Sequence, residues 1–341
     1  MLTISADKLR STAERTFVAA GATEDIARTV AGHLVTANLS GHDSHGVIRI
    51  PSYVHQIRTG HLDPKARAAV IRETPTTALV SGNWAFGQVA AADGTRVAIE
   101  KARSAHVGIV SIVQCNHIGR LGEYVEMAVA DGMIGMAMVG GLRGLGRCAA
   151  PYGGMKGALS TNPFACGIPA SDGRPIIVDF ATTIVAEGKL QVLRAKQEPV
   201  PQGWIRDRAG NSSTNVEDFY GGGTLALFGA HKGYGLALVT EVFSGILGGI
   251  ELYQQDRISA GTFILVFDPS VFRPLADIAG DVSALGDEMR VVPPAPGFTE
   301  VLVPGDPERR SRARREVEGV PLPDDTWERL RATARELGVE V

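Results

Sequence analysis

The sequence predicts an α/β protein, and three observations support that class. From about residue 76, short apolar runs alternate with amphipathic stretches of helical period. Both ends of the chain read as helices without strands between them. The 41 glycines, against 18 prolines, concentrate in the middle, where backbone must turn tightly or approach a ligand.

The elements follow in order. Residues 5–39 read as a helix pair: "SADKLRSTAERTFVAAG" opens on a serine cap and closes on Gly21, and "ATEDIARTVAGHLVTANLSG" has a threonine cap with acids in its first turn. A further helix is expected through "VIRIPSYVHQIRTG", with Pro51 in its first turns or at a kink. "TALVSG", "VGIVSIV" and "MIGMAMVG" read as strands, separated by helices in "GQVAAADGTRVAIEKARSAH" and "RLGEYVEMAVADG". "RPIIVDFATT", "GTFILVFD" and "TEVLVPG" add strands. "KGYGLALVTEVFSGILGG" is an almost wholly apolar helix, expected to be buried. Residues 140–163 and 198–224 read as long loops, functional or mobile. "PERRSRARREVEGV" and "PDDTWERLRATARELGV" close the chain as helices.

Composition narrows the function. A chain of 341 residues can bury a full core and form two domains. The net charge of −3 excludes a dedicated nucleic-acid binder, which would show a basic stripe. No apolar run is expected to span a membrane, and the start lacks a signal-peptide pattern. Three cysteines at unpaired spacings read as reduced thiols of a cytoplasmic protein.

The chemistry concentrates in "SGHDSHGVIRIPSY", residues 40–53. His42, Asp43 and His45 are metal-ligand types, but they lack the further ligand a tetrahedral site needs, so no metal is expected. Ser44 and His45 are adjacent and do not form a triad, and the nucleophile-elbow pattern is missing. His45, Arg49 and Tyr53 are spaced four apart and share one face if the stretch is helical. An imidazole there trades a proton with a hydroxyl, and a guanidinium grips a carboxylate through paired hydrogen bonds. An exposed polar face with an incidental ion pair explains the same residues equally well.

Other clusters add less by themselves. In "QCNHIGRLGEY", His117 falls between a strand and a helix, where α/β proteins place ligands, and Gly119 and Gly122 let amides face an anion. A plain capping turn is the alternative. Asp179 in "VDFATT" binds ribose hydroxyls or, on spacing alone, caps the next turn. His231 and Lys232 in "AHKGYG" precede a helix and suit a phosphate. The GxGxxG and GxxxxGK[ST] fingerprints are both missing, so motifs leave the cofactor open.

Together "GHDSHGVIRIPSYV", "NHIGRLGEY", "PYGG", "TNPFACGIP", "VDFATTIVAEGK", "HKGYGLALVTEVFSGILGG", "PAPGF" and "VPGDPE" resemble the malate/L-lactate dehydrogenase family that lacks a Rossmann fold. That family includes ureidoglycolate and sulfolactate dehydrogenases and a reductase of cyclic imino acids. The resemblance implies a homodimeric oxidoreductase dependent on NAD or NADP. It implies a non-Rossmann α/β cofactor domain, residues 76–304, and a helical domain built from residues 1–75 and 305–341. It places His45 and His117 at the reacting centre, either being the acid/base, with Ser44 supporting His45. Arg49 would hold the substrate carboxylate, and Tyr53 and Thr161 would line the pocket. Gly119, Leu121, Gly141, Asp179, Phe180, Ala181, His231, Lys232, Gly305 and Asp306 would contact the cofactor.

Three departures bear on the substrate. Lys189 stands after Gly188 where the imine-reducing branch has a charge-relay aspartate, which favours hydroxy acids. Ser160 replaces a glycine before "TNP", and the segment between Gly249 and Thr262 is short for the family. The sequence therefore reads as a dehydrogenase of a small 2-hydroxy acid, malate-, lactate- or ureidoglycolate-like. An imine reductase is the enzymatic alternative, and a non-catalytic carboxylate- or nucleotide-binding protein the other. Arginines from Arg309 to Arg315 either meet a 2′-phosphate or form a solvated basic face.

Overall fold

Ser5 caps the first helix as its side-chain chemistry favours, its hydroxyl accepting from Lys8 N at 3.3 Å. The computed structural model describes residues 2–141, 146–254, 257 and 259–341. Strand β1 (Leu2–Ile4) precedes α1 (Ala6–Ala19) and α2 (Glu24–Leu39). Thr23 makes no cap bond; its hydroxyl donates to Asp25 Oδ1 at 2.5 Å instead. Two single 3-10 turns, Asp43–His45 and Val47–Arg49, lead into α3 (Ile50–Arg58). Pro51 sits in the first turn of α3, where its missing N–H removes no helical bond. The helix expected from residue 47 thus begins at Ile50, after tighter turns.

After an unexpected β2 (Ala69–Glu73), the chain alternates as expected through β3 (Thr77–Ser81), α4 (Gly87–Ala105), β4 (Val107–Cys115), α5 (Gly122–Ala130) and β5 (Ile134–Gly140); an unexpected β6 (Phe164–Ile168) then precedes the expected β7 (Ile176–Phe180). There follow α6 (Glu187–Lys196), β8 (Ile205–Arg206), β9 (Ser212–Ser213), α7 (Val216–Tyr220), β10 (Thr224–Leu225) and α8 (His231–Glu241), which runs on as a π turn, Val242–Ile246. The chain ends with β11 (Ala260–Phe267), α9 (Leu275–Arg290), α10 (Asp306–Glu318), β12 (Val320–Leu322) and α11 (Asp324–Glu336).

The central sheet has seven strands in the order β2-β3-β4-β11-β5-β6-β7. Only β3 and β4 run parallel; the other neighbours are antiparallel. Strand β11 enters the middle of the sheet from far along the chain, and its unbroken apolar run fits a strand covered on both faces. Ile264 and Val266 join the core formed with α4 and α5, while Phe263 stacks on Phe243 of the π turn at 5.0 Å. Successive strand residues point to opposite faces, so the α8 run covers the face away from α4.

The chain ends share a second core. Leu9, Phe17, Leu34, Ile50 and Tyr53 pack with Trp327 and Leu330, and β1 pairs antiparallel with β12. Phe86, just before α4, sets its ring edge-on to Phe17 at 5.2 Å and joins this core to the sheet.

Several expectations need correction. "TEVLVPG" is not a strand; it runs as irregular backbone into the turn before α10. Residues 198–224 are no mere loop, because β8, β9 and β10 form a small sheet there over Leu190, Val200 and Val216. Residues 140–163 are largely irregular, tied by an Ala149–Leu159 bridge; 142–145 lie outside the described residues, as do 255, 256 and 258 of the short segment before Thr262. The apolar helix is only partly buried. The run His231–Leu252 is long and apolar enough to span a membrane by composition, and about a third of its most apolar stretch lies inside the protein, against the sheet. Leu238, Val239, Val242, Ile246 and Leu247 are exposed.

Leu330 is fully buried between the chain ends. Leu330→Ala should lower the unfolding free energy by about 2–5 kcal/mol, read from the shift in urea midpoint.

Candidate active site

Asn38, at the end of α2, folds the histidine segment back on itself. Its Oδ1 accepts from Val47 N at 2.8 Å and its Nδ2 donates to Asp43 Oδ1 at 2.7 Å. Arg315 clamps Asp43 from α10 at 2.7 and 3.1 Å. Gly46 must be glycine, because a Cβ there would lie 2.1 Å from Asn38 Oδ1. The resulting tight turns set Ser44 Oγ 3.1 Å from His45 Nδ1 and let Arg49 Nε donate to Ser44 O at 2.7 Å.

His117 arrives from the other layer. Asn116 anchors its segment by donating to Trp84 O and Ala85 O at 3.0 and 2.9 Å. The His117 ring lies nearly parallel to His45, with centroids 5.5 Å apart and planes 13° apart. Tyr53 Oη is 2.7 Å from His117 Nδ1 and accepts from Gln88 Nε2 at 2.8 Å. The expected i, i+4 face of His45, Arg49 and Tyr53 is not helical. The residues still converge, because the 3-10 turns and α3 bring them round a shared point.

Electrostatics keep this centre uncharged apart from Arg49. Burial, then the Arg49 charge, pushes the His45 pKa down to about 3. His117 is also held well below its ordinary value, by its dense surroundings first and then by Arg49 and His45. Its ring nevertheless remains exposed at the surface, so a small molecule can reach it. Burial lifts the Tyr53 phenol to about 12, against the Gln88 hydrogen bond. At neutral pH the site presents neutral imidazoles, a phenol and a guanidinium. Arg49 Nη1 and Nη2 have no partner among the described residues.

The other candidates fall around this centre. Gly119 adopts φ +77°, and a Cβ there would lie 2.4 Å from His33 Nε2, which accepts from Arg120 N at 3.1 Å. Leu121 packs its side chain into the sheet core. Asp179 Oδ2 accepts from Gly122 N at 2.7 Å, and Arg120 Nε lies 3.7 Å away. Asp179 therefore caps α5 across the sheet, rather than the turn that follows it. Burial raises its pKa, opposed by Arg120. Phe180 packs edge-on to Phe228 at 5.4 Å and beside Phe164 at 5.7 Å, with Ala181 next in the chain. Thr161 O accepts from Thr182 N and Oγ1, both at 2.9 Å. Gly141, at φ +75°, approaches Gly245 so closely that a Cβ would lie 2.7 Å from its Cα. Gly188 abuts Ser44, a Cβ there falling 2.9 Å from Ser44 Cβ, which brings the start of α6 to the histidines.

Lys232 stands apart from the histidines. It is exposed at the start of α8 beside His231, and its ammonium has no partner among the described residues. Gly233 N donates to Phe228 O at 3.0 Å, which links this helix start to Phe180. Gly305 and Asp306 lie near β7, where Ile177 N donates to Pro304 O at 3.1 Å. The Asp306 carboxylate is engaged by Arg290, Arg309 and Val303 N, which accords with a pKa lowered to about 2 against the pull of burial. Of the basic cluster, Arg309, Arg310, Arg312 and Arg315 are paired with groups of the chain, while Arg314 is exposed with no partner among the described residues.

Sequence reading missed several members of this site. Gln88 and Asn38 had no visible signal, being polar residues within helical stretches. Glu241 did have one, as the lone acid of an apolar helix; it accepts from Asn162 Nδ2 at 2.6 Å and Gly141 N at 2.8 Å. Ser160, where a glycine was expected, accepts from Asn162 N at 3.3 Å.

Neutral imidazoles beside a guanidinium whose Nη groups have no partner among the described residues make an arrangement able to hold a small anion and exchange a proton with it. Comparison with known proteins gives the family. The malate/L-lactate dehydrogenase family profile matches residues 4–331. The malate dehydrogenase of Pyrococcus abyssi is 35% identical over 99% of this chain and 95% of its own length. The malate/(S)-sulfolactate dehydrogenase of Methanothermus fervidus is 34% identical over 99% of both chains. The crystal structure of malate dehydrogenase from Entamoeba histolytica superposes with a TM-score of 0.93 at 27% identity, covering 100% of this chain and 99% of that one. The chain belongs to the malate/L-lactate dehydrogenase family and is a hydroxyacid oxidoreductase.

The depressed His45 pKa has a consequence for stability. Below pH 6.5 the unfolded chain takes up a proton that folded His45 refuses until about pH 3, so stability contributed by this group is lost as pH falls through that window. The difference in unfolding free energy between wild type and His45→Asn should therefore narrow between pH 7.5 and 5. A constant difference would contradict it.

Proposed function

We propose that the protein oxidises a small 2-hydroxy acid, or reduces the 2-oxo acid, with NAD or NADP. The observation that carries this is the Arg49 guanidinium, fixed by Ser44 O through Nε and open at both Nη groups, acting on both imidazoles. That fork suits two-pronged capture of a carboxylate. A substrate pinned there presents its hydroxyl to His45 or His117, and a neutral imidazole accepts its proton or, once protonated, returns one. Ser44 holds the His45 ring by its Nδ1, and Tyr53 holds His117 by the same atom.

The residues fit a nicotinamide dinucleotide. The unpartnered Lys232 ammonium and His231 at the start of α8 suit its phosphates. Asp179 uses Oδ2 for its described partners, which leaves Oδ1 for a ribose hydroxyl. Gly119, Leu121, Gly141, Phe180, Ala181, Gly305 and Asp306 would frame the rest, Leu121 through its backbone. The bound cofactor supplies or takes the hydride; the protein orients and exchanges the proton. Four of the five α10 arginines are paired internally, so the cluster does not by itself favour NADP over NAD.

The same reading includes the architecture and setting. The helical part, 1–75 with 305–341, would carry the substrate anchor, and the α/β part, 76–304, would hold the cofactor without a Rossmann fold. The exposed apolar side of α8 and its π turn is proposed to pack against a second copy, giving a homodimer in the cytoplasm. Imine reduction is less favoured, because Lys189 replaces the expected aspartate beside Gly188, which touches Ser44. A purely binding role is less favoured because both imidazoles are retained and accessible.

Nicotinamide absorbance across hydroxy acids, oxo acids and cyclic imines tests the reading; turnover of imines alone selects the reductase, and no turnover selects the binding protein. Arg49→Lys should raise KM for the acid by about tenfold or more, because an ammonium cannot make the paired contact. Ile246→Glu should convert a dimer, seen by light scattering, into monomers.

A further inference from the structure

Gln88 lies in α4, is 1% exposed, and is outside every motif that marks the site. Its Nε2 donates to Tyr53 Oη at 2.8 Å, while its Oε1 is buried without a partner among the described residues. Tyr53 Oη therefore already accepts one hydrogen bond. For its own proton, His117 Nδ1 at 2.7 Å is the acceptor within reach among the described residues, and we infer that the phenol donates there. Nδ1 must then be the unprotonated nitrogen, and neutral His117 carries its proton on Nε2.

We propose that Gln88 is a positioning residue whose amide orientation selects the tautomer of His117 through Tyr53. In the observed orientation, Nε2 of His117 has no free lone pair and cannot accept a substrate proton. Rotation of the Gln88 amide by half a turn presents Oε1 to Tyr53. The phenol then donates to Oε1, Tyr53 Oη accepts from His117 Nδ1–H, and Nε2 becomes a base. A hydroxyl proton taken up at Nε2 gives an imidazolium with both nitrogens protonated, and Tyr53 stays a neutral phenol throughout. Between the resting and the base-competent states the Gln88 amide turns and the His117 ring proton shifts from Nε2 to Nδ1 by exchange with water, the number of protons on His117 and Tyr53 staying the same. Rotation gives the buried Oε1 a donor while taking the acceptor from Nε2, so the two orientations are closely balanced. Gly119 leaves room beside the amide, a Cβ there falling 3.4 Å from Gln88 Nε2.

Other groups bias His117 without choosing between its nitrogens. Arg49 from the second 3-10 turn, His45 from the first and His33 from α2 all disfavour the imidazolium. Tyr53 from α3 is the neighbour that contacts a ring nitrogen.

The tautomer is read directly by nitrogen-15 NMR of histidine-labelled protein, with His117→Gln identifying the signals. The wild type should show an unprotonated Nδ1 and a protonated Nε2 above pH 7. Gln88→Glu places only acceptors before Tyr53 and should reverse the pattern; Gln88→Met should give a mixture. Tyr53→Phe should make the Gln88→Glu change silent. An unchanged tautomer in Gln88→Glu, in a protein with wild-type circular dichroism, overturns the proposal. The kinetic arm rests on His117 as the proton-transfer group: Gln88→Glu should move the acid limb of kcat upward by a pH unit or more while KM changes less than threefold. A reversed tautomer with an unmoved pH profile would keep the Gln88 assignment and reject His117 as the acid/base.

Discussion

Tyr53 and His117 belong to different layers of the molecule and meet in one hydrogen bond of 2.7 Å. Tyr53 sits in the core shared by the two chain ends, and His117 follows the sheet strand β4. Phe86 packs edge-on to Tyr53 at 6.1 Å and precedes α4, whose Gln88 completes the contact. The proposed reacting centre therefore lies at the seam between two hydrophobic cores. If the helical ends shifted against the sheet, the imidazoles would lose their shared orientation before either core unfolded.

Placing a cation at that seam has a thermodynamic consequence. Burial first, and Arg49 after it, disfavour the charged form of both histidines. The site thus stores its acid/base capacity in neutral rings beside one fixed positive charge. An arriving carboxylate would cancel that charge and so raise the proton affinity of the imidazoles. In the proposed reaction, substrate binding and proton uptake would be linked through the same guanidinium.

Polar clamps far from the chemistry hold this arrangement. Asn38 and Arg315 bind the turn at Asp43 from α2 and α10, and Arg312 donates to Ser40 Oγ at 2.7 Å and to Glu126 in α5. The arginine-rich helix near the C-terminus is a brace for the histidine segment. Arg312 and Arg315 meet the carboxylates of Glu126 and Asp43, which explains how so polar a helix packs against α2.

Local sequence determined what local physics controls. Helical period marked α1, α2, α4, α5, α10 and α11, the serine cap was placed correctly, and "GHDSHG" with "NHIG" marked both imidazoles. Short strands such as β8 and β9 escaped notice because a two-residue pairing has no period. Tertiary structure decided the rest. It turned the expected helical face into 3-10 turns, because Gly46 allows the chain to close on Asn38. It inserted β11 antiparallel between β4 and β5, and it left the apolar side of α8 exposed. It aligned Gln88 with Tyr53 and His117 across a sequence separation no local pattern records. Periodicity and capping act within a few residues; strand order, the buried seam and the proton's position depend on which distant segments share a core.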